Sequence, residues 1–129
     1  MRLMNHASTW YGERKWPGDR LDPAMQVRMQ IPGDGDVIQW ANSRLWCLFR
    51  GTSVGPYVLQ TALMALESWP LGICEADNAH VESWLLKILR ESNNVAMTAV
   101  VVSICNAYPE KAGRAGLAVL TCREFFAMD

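Results

Sequence analysis

The chain has 129 residues, half of them apolar, which suits one domain with a real core and excludes a largely disordered segment. Twelve basic and thirteen acidic residues leave a net charge of −1 with no run of like charge, so neither a nucleic-acid footprint nor a polybasic membrane anchor is written into the composition. The start, MRLMNHASTWYGERKW, lacks the apolar core of a signal peptide, and the longest apolar-rich run, VAMTAVVVSIC, is too short to cross a bilayer, which points to the cytoplasm.

Residues 1–35 carry Pro17, Pro23 and Pro32 with Gly12, Gly18, Gly33 and Gly35. That density of helix breakers predicts an irregular lead-in without a long helix. From Asp36 the composition changes. DVIQWANSRLWCLFR places Val37, Ala41, Leu45 and Leu48 at helical spacing behind a possible Asp36 cap, which predicts a first helix over 37–50 ending at Gly51. A second helix is predicted over 56–69, opened by Pro56 and ended before Pro70, with Leu59, Ala62, Leu63 and Leu66 as its apolar stripe.

Val81, Trp84, Leu85, Ile88 and Leu89 recur at the best amphipathic spacing in the chain and predict a third helix after Asp77 and Asn78. VAMTAVVVSICNAY follows Asn93-Asn94 and precedes Pro109. Its valines would suit a buried strand, but its length and polar cap favour a fourth helix, apolar almost all round and therefore covered on several sides. A last helical stretch is expected from about 110, with Leu117, Leu120, Phe125 and Phe126, broken near Thr121. The first and third of these helices, and likewise the second and fourth, start about forty residues apart, near the armadillo and HEAT range. The expected fold is therefore all-α, with helical hairpins in a HEAT/armadillo-like or short-bundle arrangement over 36–129 behind the lead-in. Because the chain stops just after a phenylalanine pair that needs a packing partner, it reads as a fragment of a longer protein.

The most suggestive chemical motif is Gly51-Thr52-Ser53-Val54-Gly55, which fits the G-x-S-x-G elbow of serine hydrolases and makes Ser53 the candidate nucleophile. An elbow also needs a preceding strand, a parallel sheet, and a histidine oriented by an acid. His80 is the only histidine downstream, Glu75 and Asp77 sit too close to it, and no βαβ series is visible. The structural alternative makes Gly51 a left-handed helix end and Ser53 or Thr52 a cap of the next helix.

Other motifs are thinner. His80-Val81-Glu82 echoes the H-x-E of zinc deaminases, but no P-C-x-x-C follows. Gly113-Arg114-Ala115-Gly116 resembles a KH-type GXXG loop without the sheet that such a domain needs, so a turn between helices is expected. Asp34-Gly35-Asp36 lacks the remaining ligands of a calcium loop. Trp10, Tyr11 and Trp16 with Arg14 and Lys15 suit base stacking, or simply anchor the lead-in. Cys47, Cys74, Cys105 and Cys122 form no C-x-x-C pair and read as free thiols, most of them buried. No metal or cofactor is expected.

RGTSVGPYVLQTALMALESW, WLLKILRESNNVAMTAVVVSICNAYP and LTCREFFAMD resemble helical-repeat regions within very large bacterial NTPase-type proteins, some associated with antiphage defence. The resemblance covers about residues 37–129, and VGPYVLQTALMALE and SNNVAMTAVVVS are its most specific parts. It implies a scaffold or sensor segment with the nucleotide site elsewhere, since no Walker A pattern, G-x-x-x-x-G-K-[ST], is present. The expected role is a non-catalytic interaction segment that contacts the remainder of a larger polypeptide, or another protein, through apolar helix faces. Trp84, Phe125 and Phe126 are the candidate contact residues, and neither nucleic acid nor membrane is expected as a partner. The alternatives are a small hydrolase using Ser53 and a weak nucleic-acid module.

Overall fold

The computed structural model describes residues 1–13, 23–51, 55–76 and 80–128. They are predominantly helical, with one small antiparallel sheet. The elements run α1 (Arg2–Glu13), β1 (Met25–Ile31), β2 (Gly35–Ala41), α2 (Ser43–Trp46), a 3-10 turn (Leu48–Arg50), α3 (Tyr57–Glu75), α4 (Val81–Glu91), α5 (Val95–Ala107), α6 (Pro109–Thr121) and a closing 3-10 turn (Arg123–Ala127). Among the described residues no helix is long and apolar enough to cross a membrane.

The first third of the chain departs from the sequence expectation. Residues 1–35 are not an irregular lead-in: they hold α1 and β1. Residues 37–41 belong to β2, so the expected helix over 37–50 is replaced by a strand end, one helical turn and a 3-10 turn. The fold is accordingly not purely α, and the first member of the forty-residue helix offset is absent.

The hairpin has a local cause. Pro32 and Gly33 sit in the turn, the Asp34 N–H donates to the Ile31 carbonyl at 3.0 Å, and Gly33 and Gly35 take φ of 80° and 92°, where a Cβ is disfavoured. In register, Val27 faces Gln39 and Met29 faces Val37. Val27, Met29 and Ile31 are buried while Gln26, Arg28 and Gln30 are exposed, the period-two signature of a sheet covered on one face. α6 supplies part of that cover, and Thr121 Oγ1 accepts the Gln30 N–H at 3.1 Å.

α3 to α6 form the rest of the body around α5. Nine of the thirteen α5 residues are buried, and α5 touches α2, α3, α4, α6 and β2. Its all-round apolar character is thus matched by cover on most sides, with Asn106 and Ala107 exposed at its end, as expected of a central helix. α4 places Leu85, Ile88 and Leu89 in the core, each contributing about 1.5–3 kcal/mol by burial. α3 does not end before Pro70 but runs on to Glu75. Pro70 and Cys74 are buried, and Lys111 Nζ donates to the Cys74 carbonyl, so packing and a cation at the helix end outweigh the missing N–H.

Two polar junctions lock the layers. Gln39, buried in β2, donates Nε2 to the Leu89 carbonyl at 3.1 Å and accepts the Thr98 hydroxyl on Oε1 at 2.6 Å. Asn94 caps α5 by accepting the Ala96 N–H at 3.2 Å, while its Nδ2 donates to Thr9 Oγ1 at 3.2 Å and Asn93 Oδ1 at 2.9 Å. The Asn93 N–H in turn donates to Asn5 Oδ1 at 3.1 Å, and the Trp40 N–H to the Asn93 carbonyl at 2.9 Å. One short turn between α4 and α5 therefore holds α1 and β2 together.

Candidate functional site

The most exposed apolar surface lies where α1 meets the start of α3. α1 turns Ser8 and Tyr11 into the core and sends Leu3, His6 and Trp10 along its outer stripe, at the spacing of one helix face. α3 buries Leu59 and Leu63 while Tyr57 and Val58 stand 85% exposed. Leu3 is 79% exposed and Trp10 55%. Between the two helices runs a groove of about 490 Å³ whose floor and walls include Met4, Ala7, Pro56, Leu59 and Ala62. Among the described residues no Asp, Glu, Lys or Arg lines it, and His6 is the one titratable side chain there.

The candidate nucleophile Ser53, together with Thr52 and Val54, lies outside the described residues. The segment before it is described: Leu48–Arg50 is a 3-10 turn and not the strand an elbow requires. Gly51 ends that turn in the left-handed region, φ 66°, as the helix-end reading of the motif expects. Pro56 caps α3 from an extended conformation, one position before the first helical residue. Asp77 and Asn78 also lie outside the described residues, as do Arg14, Lys15 and Trp16.

The three candidate contact residues separate. Phe125 is buried, its ring stacked on Trp46 at 4.9 Å and 25°, so its packing partner lies within this chain and it offers no outward surface. Phe126 is 66% exposed, near Leu117 and Leu120 in sequence, which are also exposed. Trp84 is half-exposed on α4, edge-to-face with Trp69 of α3. The structure does not bring these residues into one patch with the α1–α3 groove.

The remaining motifs have structural occupations. Glu82 does not await a metal: its Oε1 accepts both the Arg114 N–H at 3.0 Å and Arg114 Nε at 2.9 Å. Those bonds, the backbone one first, hold its carboxyl below the usual glutamate range. The GRAG stretch is a kink inside α6, with Gly113 at φ 49° and ψ −127°. The Glu82 carboxylate fills the space beside it and caps the helical turn that restarts at Arg114. Asp34 is paired with Arg90. Among the described residues, no group of three or more His, Cys, Asp or Glu side chains is placed to hold a metal ion.

The four thiols are free. Burial raises Cys74 and pushes Cys105 and Cys122 up to about 11, far from a nucleophilic thiolate, while Cys47 is partly exposed. Sequence reasoning overlooked α1 and the groove beside it. The spacing of Leu3, His6 or Ala7 and Trp10 carried that signal, outweighed there by the glycines and prolines that follow. No protein-family model matches this chain, and neither does any curated protein sequence.

Proposed function

We propose that this chain is a non-catalytic helical interaction segment that receives an amphipathic helix in the groove between α1 and α3. The observation that carries this reading is the cluster of Leu3, Trp10 and Val58, large apolar side chains held out around one groove whose described lining carries no Asp, Glu, Lys or Arg. Contiguous apolar surface on a well-packed body marks a contact site, since isolated exposed residues need no partner but a rimmed groove does. α1 is about 18 Å long at 1.5 Å per residue, so a partner helix of roughly three turns matches it and would present residues at i, i+3, i+4 and i+7.

The partner helix comes from the remainder of a larger polypeptide or from another protein. In its finer form, this reading places the chain in a HEAT-like stack within a large bacterial NTPase-type protein of the cytoplasm. The central α5, buried at nine of its thirteen residues beside an open apolar face, supports that form, because inner stacked helices are mostly covered while end units stay open. Selection from a displayed library of amphipathic helical peptides tests the reading. The expected result is enrichment of peptides with an uncharged apolar stripe, whose binding slows amide exchange in α1 and the first turns of α3. Selected peptides that protect other elements instead, or a selection that yields no helical binder, would contradict it.

A further inference from the structure

A second cleft, at the outer seam of α3 and α4, has a different chemistry. Trp69 and Trp84 meet there edge-to-face, ring centroids 5.2 Å apart at 81°, and each leaves nearly half of its surface in solvent. Leu66 and Ile88 line the cleft beside them, and Arg2 and Lys87 also border it, enclosing about 410 Å³. A neighbouring hollow of about 420 Å³ shares Trp84, Lys87 and Glu91 and adds Ser83 and Arg90, so apolar and polar space adjoin across one indole.

We propose that this cleft binds a small planar aromatic anion, its ring against the tryptophans and its carboxylate or phosphate towards Lys87 and Arg2. The volume falls within the several hundred Å³ typical of small-molecule sites, which combine apolar walls with a few polar groups at the edge. Two indoles at right angles offer one face and one edge, the arrangement in which a further ring gains from both offset stacking and edge contact. Lys87 Nζ sits 5.4 Å from the Trp84 ring centre, a cation already placed over the aromatic wall. Among the described residues Glu91 is the one carboxylate on this rim, 3.9 Å from Lys87, too loose a pair on the exposed surface to hold the ammonium against an incoming anion. Leu66 and Ile88 give no hydrogen bonds, so the cleft favours a flat apolar ring over a sugar.

The cleft is separate from the α1–α3 groove and its occupancy does not depend on the docking reading. Calorimetric titration with 2-naphthoate, beside the neutral 2-naphthalenemethanol, tests it, with the indole N–H resonances recorded in parallel. The expected result is saturable binding of the anion with Kd below about 1 mM, shifts at Trp69 and Trp84, and affinity at least about tenfold weaker for the alcohol. Trp84→Leu and Lys87→Glu, both at exposed positions, are each expected to weaken binding about tenfold or more with the circular dichroism spectrum unchanged. Absence of saturable binding, equal affinity for the alcohol, affinity retained in Trp84→Leu, or shifts confined to Trp10 would each overturn the proposal.

Discussion

Gln39 shows how a single side chain misdirects a reading of hydrophobic pattern. In β2 the polar Gln39 points inward while the apolar Ile38 and Trp40 are 52% and 44% exposed, so the alternation is inverted relative to a usual half-buried strand. Gln39 tolerates burial because both ends of its amide are bonded, to Leu89 and to Thr98. Gln39→Leu is expected to lower unfolding stability by about 2–4 kcal/mol, since it strands a buried carbonyl and a buried hydroxyl. Adding Thr98→Val is expected to recover part of that loss in the same urea titration, because the hydroxyl is then no longer left without a partner. At Gly113 the constraint is steric and conformational together. A Cβ there would meet the Glu82 carboxyl carbon at 2.7 Å, at a φ that L side chains rarely adopt, so Gly113→Ala is expected to cost about 1–3 kcal/mol. Glu82 also sets a pH dependence. Its folded carboxyl titrates below the ordinary value of 4.5, so its contribution is complete above that value and is lost as pH falls through the folded one. Glu82→Gln is expected to flatten the acid limb of the stability profile, and an unchanged limb would count against the Arg114 contacts as its cause.

At the scale of elements, caps and packing decide what propensity leaves open. α5 is rich in β-branched residues, and Asn94 starts it by accepting the Ala96 N–H while tying Thr9 and Asn93 to the same point. Asn94→Ala is expected to cost about 2 kcal/mol, the loss of a cap plus unpaired polar partners, and to speed amide exchange in α1 as well as in the first turn of α5. Exchange faster in α5 alone would show that the turn does not hold α1. The later elements were legible in the sequence, α4 by its apolar spacing and α5 by length and cap; α6 was expected from about 110, but its buried face is Ala112, Ala115, Ala118 and Val119, while Leu117 and Leu120 are exposed. α3 was legible at its start but not at its end, since burial of Pro70 and Cys74 outweighs a local rule about proline. β1 was written in the alternation of Val27, Met29 and Ile31 and in the Pro-Gly-Asp-Gly turn, but those same turn residues read more simply as loop. The helix expected over 37–50 rested on apolar spacing that a strand followed by two short helical turns reproduces by coincidence. Of the candidate contact residues, Trp84 and Phe126 are exposed, while the partner of Phe125 is Trp46, nearly eighty positions away and beyond any local pattern.

The described residues combine a closed core with open surfaces, the two clefts among them. Closure can be read from the thiols. Cys74 and Cys122 are fully buried and Cys105 nearly so, so Cys47 is expected to react first with a disulfide reagent near neutral pH, the other three following only on unfolding. Four equally fast thiols in the native protein would mean a core looser than its packing indicates. Openness is concentrated around the α1–α3 groove, where Val58 contributes surface and almost no internal packing. A charge placed there leaves the fold intact and removes the apolar contact that a docked helix needs. The central measurement is the dissociation constant of a selected amphipathic helix for the wild-type chain and for Val58→Asp, determined side by side by calorimetry. Docking in the groove predicts at least about a tenfold weaker complex for the variant, equivalent to about 1.4 kcal/mol; equal affinities for two equally folded proteins would contradict it.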